Sequence, residues 1–184
     1  DIAFICVPTS LHISLINQIF NYAVPHLYLE KPFSHNLNGC EDIIFKMKRE
    51  NKYLSVGYML PNHPVLKELK KLLDENIIGK PLTARAESGF YLPLWHPLED
   101  YRNFYMSWKS GGGGALLDTS HEINYLQFLF GEVYEVSGDV FTISELEITS
   151  DDLALGTLYF KNGVIGQIHL DLLQYEEERY CKIV

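Results

Sequence analysis

The chain has 184 residues, enough for one compact domain or two small ones, with 47% hydrophobic and 21% charged residues, an ordinary globular balance. A formal net charge of −9 repels phosphate backbones and sets nucleic acid aside as a partner. Three cysteines, Cys6, Cys40 and Cys181, without paired spacing, argue against a disulfide framework or a zinc site and for a reducing compartment, the cytoplasm; no apolar run reaches about 18 residues, so no membrane span is expected.

Residues 2–7, IAFICV, read as a short strand buried on both faces, broken by Pro8, Thr9 and Ser10. Residues 12–22 form a helix, 27–30 a second strand stopped by Lys31-Pro32, 36–51 a second helix and 53–59 a third strand. This alternation with short links implies a parallel sheet with right-handed crossovers. The character changes at Pro61 and Pro64. An amphipathic helix over 65–76 ends at Gly79 and Pro81, and strand-like residues 82–91 follow. A polar, aromatic loop runs to Lys109, four glycines open a helix over 115–130, and Gly131 closes it. Strands are expected at 133–143, 152–160 and 164–173, the last two joined by the hairpin dipeptide Asn162-Gly163, and another near 180–184. The second half therefore reads as a mostly antiparallel sheet with helices on one face.

Three segments could carry chemistry. Glu30-Lys31-Pro32 and Pro8-Thr9-Ser10-Leu11-His12 both follow strands, at the edge where ligands of open α/β sheets gather. A lysine there can exchange protons, while hydroxyls and N–H groups at a helix start can meet a ribose or phosphate or simply cap the helix. In GGGGALLDTSHEINYLQFLFG, residues 111–131, the spacing of Asp118, His121, Glu122 and Tyr125 predicts one helix face, able to supply a proton-transfer group with an orienting carboxylate. Sharper alternatives fail on spacing. His-Glu-x-x-His is broken by Tyr125, a triad of Asp118, Ser120 and His121 is sterically poor, and no Gly-Lys-Ser/Thr follows the glycines.

LYLEKP, ICVPTSLH and the glycine-led helix, in this order, resemble the glucose–fructose oxidoreductase, inositol dehydrogenase and MocA family. VGYMLPNHPVLKELK is similar to the segment joining its two domains, and YLPLWHPLEDYRNFY resembles members acting on sugars or nucleotide-linked amino sugars. The resemblance implies the C-terminal part of a Rossmann-type domain over residues 1–62, an open-sheet substrate domain over 63–184, and hydride transfer involving NAD or NADP at a secondary hydroxyl carbon of a sugar, amino sugar, nucleotide sugar or polyol. It makes Lys31, His121 and Asp118 catalytic. It places Pro8, Thr9, His12, Glu30 and Lys31 at the cofactor, and Trp95, His96, Tyr101, Arg102 and Glu122 at the substrate.

Three departures stand out. His121 comes three residues after Asp118 where many members place it four after, and Glu122 takes the later position, a Ser-His-Glu form similar to one branch of the family. Pro61 stands where members often carry a basic residue. No glycine precedes Gly39, so the glycine-rich turn for the pyrophosphate is missing, and with it the residue that distinguishes NAD from NADP. The chain thus reads as an internal fragment of a longer enzyme, inactive alone. The alternative is a binding or assembly module that keeps the fold without the chemistry; a metal-dependent hydrolase using His121 and Glu122 is a weaker option. The open sheet face of the second half suggests a homo-oligomer, dimer or tetramer.

Overall fold

Two sheets organise the computed structural model, which describes all 184 residues. The first is parallel and three-stranded, in the order β1 (Ile2–Ile5), β2 (His26–Leu29), β3 (Tyr53–Val56). Its connections are α1 (His12–Ile19) and α2 (Cys40–Arg49), and both helices lie on the same face, as consecutive right-handed crossovers require. There Ile5, Leu27 and Leu29 pack against Ile16, Ile43 and Met47. The opposite face is uncovered, which corrects the expectation of a strand buried on both sides: Ile2 and Phe4 are exposed, with Phe4 against Tyr28 and His26 stacked on Tyr53. The second helix starts at Cys40 rather than near residue 36, because Gly39 adopts a left-handed φ of 75° and Asn36 Oδ1 caps the N–H of Asn38 in a tight turn. Neither Thr9 nor Ser10 caps α1 with its side chain.

α3 (Pro64–Asp74) starts with proline in its first turn and the ring of His63 accepting from the N–H of Val65. Leu66, Leu69 and Leu73 then lean on the core of the second sheet. That sheet runs β5 (Val133–Phe141), β6 (Leu153–Phe160), β7 (Ile165–Asp171), β4 (Thr83–Gly89), β8 (Glu178–Ile183). Only β4 and β7 are parallel. Gly163, with a φ of 93°, and Asn162, whose Oδ1 accepts from the N–H of Val164, make the β6–β7 hairpin. The core lies between this sheet and the last helix, with Ala84, Ala86, Leu158, Phe160 and Leu170 against Leu126, Leu129 and Phe130.

The single helix expected over 115–130 is two: α5 (Ala115–Asp118) and α6 (His121–Phe130). Thr119 and Ser120 interrupt it by donating their hydroxyls to the carbonyls of Ala115 and Leu117. Asp118 therefore leaves the face that carries His121, Glu122 and Tyr125. The sheet's other face is open, and its centre is polar, with Arg85, Gln167, His169, Thr157 and Ser137 around a shallow hollow of about 450 Å³.

Candidate active site

The glycine run lets the two halves meet. Gly112 has a φ of 81°, and a Cβ added there would stand 2.9 Å from Cβ of Thr9 and 2.7 Å from Cβ of His35, so only glycine admits this approach. The loop entering α5 consequently lies beside the turns that follow β1 and β2, and Asp118 comes to Lys31.

Lys31 Nζ donates to the main-chain carbonyl of Asp118 at 2.6 Å and lies 3.9 Å from its Oδ1. Both side chains are well covered, 15% and 6% exposed. Asp118 Oδ1 also accepts the Tyr105 hydroxyl at 2.7 Å, and its Oδ2 accepts the N–H of Gly114 at 3.2 Å. Burial pushes the Asp118 carboxyl up to about 6, against the opposing pull of Lys31, Tyr105 and Gly114. Burial and the carboxylate together raise the Tyr105 phenol above its usual range.

His121 opens α6 with its ring edge-on to Tyr58, centroids 5.6 Å apart. The Tyr58 hydroxyl donates to Ser120 Oγ at 3.2 Å. Burial first, then the Lys31 ammonium and the Arg179 guanidinium, hold His121 down to about 4, so the ring is neutral near pH 7. Its Nδ1 is buried and has no protein partner. Glu122, the next residue, is wholly buried, with Oε1 paired by charge to Arg179 Nε at 2.9 Å, and neither carboxylate oxygen receives a hydrogen bond. Burial raises its pKa, and Arg179 opposes the rise. Lys31, Asp118 and His121 are thus brought together, Glu122 lies beneath them, and Tyr58, Tyr105 and Arg179 join a group that the sequence pattern did not include.

The remaining expected residues divide. Thr9 is buried against the glycine run, and Pro8 is exposed at the turn after β1. Glu30 is half-buried, its N–H donating to the carbonyl of Ile5 at 2.9 Å, and its charge contributes to the raised pKa of Tyr105. His12, expected at the cofactor, is instead wholly buried, with one ring nitrogen 3.0 Å from the carbonyl of Pro32 and the other 3.0 Å from that of Val7. It ties the two strand-end turns together from below. Trp95 packs on Phe90, and His96 sits edge-on to Phe104. The Tyr101 hydroxyl accepts from the N–H of Glu147, and Arg102 is paired with Asp100 and Glu147 at the surface. None of these four bonds to Lys31, Asp118 or His121; the aromatic loop reaches them through Tyr105.

The carboxyl ends of three parallel strands, with Lys31 and the unpartnered nitrogen of His121 beside them, fit the nicotinamide end of a dinucleotide. A glycine turn for the pyrophosphate is not among these residues.

The chain matches two known domain families. Residues 1–58 match the oxidoreductase family NAD-binding Rossmann fold, and residues 66–184 match the GFO/IDH/MocA C-terminal domain. The myo-inositol 2-dehydrogenase of Thermotoga maritima is 30% identical over 173 residues, covering 91% of this chain and 48% of that protein. The uncharacterized oxidoreductase YrbE of Bacillus subtilis is 28% identical over 173 residues, with 91% and 48% covered. The chain spans about half the length of the curated relatives it matches. Among solved structures, the WlbA dehydrogenase of Bordetella pertussis, in complex with NADH and UDP-GlcNAcA, superposes with a TM-score of 0.86 at 20% identity, covering 100% of this chain and 57% of that one. A probable dehydrogenase from Thermotoga maritima gives 0.79 at 26% identity, with 100% and 54% covered. With the NAD-binding domain matched over its first residues and the C-terminal domain over the rest, the chain belongs to the GFO/IDH/MocA family of oxidoreductases.

Proposed function

We propose that this chain carries the proton-transfer half of an NAD- or NADP-dependent oxidoreductase acting at a secondary hydroxyl carbon of a sugar, amino sugar, nucleotide sugar or polyol. The observation that carries this reading is the contact of Lys31 Nζ with Asp118, three residues before His121, at the carboxyl edge of a parallel sheet. When bound there, the nicotinamide supplies the redox chemistry, and the protein supplies orientation and proton handling. The Lys31 ammonium, fixed by Asp118, holds a hydrogen bond on the substrate oxygen. The neutral His121 ring is the acceptor for the hydroxyl proton. Trp95, His96, Tyr101 and Arg102 form part of the outer wall of the sugar pocket, a reading supported by the continuity of their loop with Tyr105. The division into units 1–62 and 63–184 is supported by family domains that end at 58 and begin at 66. Self-association is proposed through the open face of the second sheet, as a dimer or tetramer of mixed polar and apolar contact.

The test is Lys31→Ala in the full-length gene product, followed by reduced-nicotinamide absorbance across a panel of sugars and polyols. Turnover should fall by about 10²–10⁴. Unchanged turnover would remove Lys31 from the chemistry and favour the binding-module reading.

A further inference from the structure

We propose that Arg179 reads an oxyanion on the substrate, so that the sugar handled here carries a carboxylate or phosphate group. This rests on the oxidoreductase reading of the same site and adds a substrate class to it.

β8 delivers Arg179 alongside the first turn of α6, where its Nε lies 2.9 Å from Oε1 of Glu122. The two partners differ sharply in exposure: the Glu122 side chain is 0% exposed and that of Arg179 44%. The guanidinium is therefore anchored from below and open above. Arginine has five N–H donors in a rigid fork. Arg179 Nε is ion-paired with Glu122 without forming a hydrogen bond, so the donors of the fork are left without an acceptor on that carboxylate. An ion pair built only for stability would engage the fork and both carboxylate oxygens, since a buried pair repays its desolvation through satisfied hydrogen bonds. Here neither Oε1 nor Oε2 receives a hydrogen bond. The arrangement suits an arginine held in orientation for something else.

That something has a place to sit. Arg179 opens on a hollow of about 410 Å³ walled by Leu60, His63, Leu66, Tyr125 and Tyr180. Tyr125 in its wall lies one helical turn beyond His121, and the Arg179 charge acts on the His121 ring, so the hollow adjoins the proposed reaction site. Glu122 offsets one positive charge and Asp118 offsets Lys31, which leaves the free guanidinium edge as an unmatched donor array. A neutral hydroxyl occupies one such donor. A carboxylate or phosphate takes two parallel N–H···O bonds, the geometry for which arginine is suited. The largely apolar wall offers few competing donors or acceptors beside the fork.

The experiment compares matched ligands: D-glucose, D-glucuronate and D-glucose 6-phosphate, and N-acetyl-D-glucosamine with its uronate and its 6-phosphate. Binding to the cofactor-loaded, full-length gene product is measured by calorimetry. At least one oxyanion member should bind about tenfold more tightly than its neutral mate. A preferred uronate identifies the carboxylate, a preferred phosphate the alternative source. Arg179→Lys keeps the charge and loses the fork, and should cut the preference to about threefold or less. Glu122→Gln combined with Arg179→Gln leaves no lone charge buried and should abolish it. The proposal is overturned if no oxyanion member outbinds its neutral mate, or if the preference survives in the double variant. Failure of the oxidoreductase reading looks different: no nicotinamide absorbance change with any sugar, whatever the binding ratios.

Discussion

Replacing Tyr105 by Phe keeps the ring and deletes one 2.7 Å hydrogen bond to Asp118 Oδ1. A hydrogen bond to a charged group is worth about 1.5–3 kcal/mol. At about 1.4 kcal/mol per pKa unit, that moves the carboxyl by roughly one to two pKa units. Only 6% of the Asp118 side chain is exposed, so little water is at hand to replace the lost donor. The carboxyl, now pushed up to about 6, should titrate in the variant at roughly 7–8. At pH 7 it changes from mostly ionised to mostly protonated, and Lys31 keeps its bond to the Asp118 carbonyl but loses the neighbouring negative charge. Because the native pKa is raised, the native state binds this proton more tightly than the unfolded chain does. The stability it contributes is complete below about pH 4 and lost as pH climbs to about 6, a loss of roughly 3 kcal/mol over that interval. In the variant the loss should extend upward by a further one to two pH units or so, roughly matching the displaced titration. Carbon-13 NMR titration of the aspartate carboxyls reads the pKa directly, and urea midpoints across about pH 4–8 read the linkage. An Asp118 titration that stays in place or moves down in Tyr105→Phe refutes the role given to the hydroxyl.

Arg179→Ala should cost more stability at about pH 8 than at about pH 5, because it strands the buried Glu122 carboxylate whose pKa burial already raises; the loss should approach about 3–5 kcal/mol at high pH in urea unfolding. Gly113→Ala should destabilise by about 1–3 kcal/mol or more in thermal melts, since its Cβ would stand 2.2 Å from the main-chain oxygen of Met106, which has no side-chain freedom with which to yield. Titrating the 184-residue chain with NAD(H) and NADP(H) should show no saturable binding at micromolar concentration, because the glycine turn for the pyrophosphate is not among these residues; micromolar affinity would show that the edge around Lys31 suffices.

The order of strands and helices was legible because each depends on local periodicity and breakers. The 2–7 run, the Asn162-Gly163 hairpin and the closing Gly131 all appear where the pattern put them. The convergence of Lys31 with the glycine-led helix was legible only through the order of three motifs, since nothing local places positions 31 and 118 together. Periodicity also misled. It counted Asp118 to Tyr125 as one helical face, but the hydroxyls of Thr119 and Ser120 compete for the helix carbonyls, and a 3.6-residue count does not register that competition. Leu37, inside the helix expected over 36–51, is exposed, because Gly39 delays the helix start past it. Tyr58, Tyr105 and Arg179 carried no spacing signal, as each joins the site from a different element. His12 matched its motif, yet its ring is wholly buried between the main-chain carbonyls of Pro32 and Val7.

The parallel pairing of β4 with β7 carries a consequence for biosynthesis. β4 ends at Gly89 and its parallel neighbour begins at Ile165, so its partner leaves the ribosome well over seventy residues later. At about 5–20 residues per second that interval is roughly 4–15 s. During it the small, alanine-bearing β4 has neither neighbour, since β8 emerges later still. The hairpins β5–β6 and β6–β7 form from adjacent sequence, and β4 is then inserted between β7 and the final strand. The nascent chain thus exposes a strand awaiting insertion through most of the second half's synthesis.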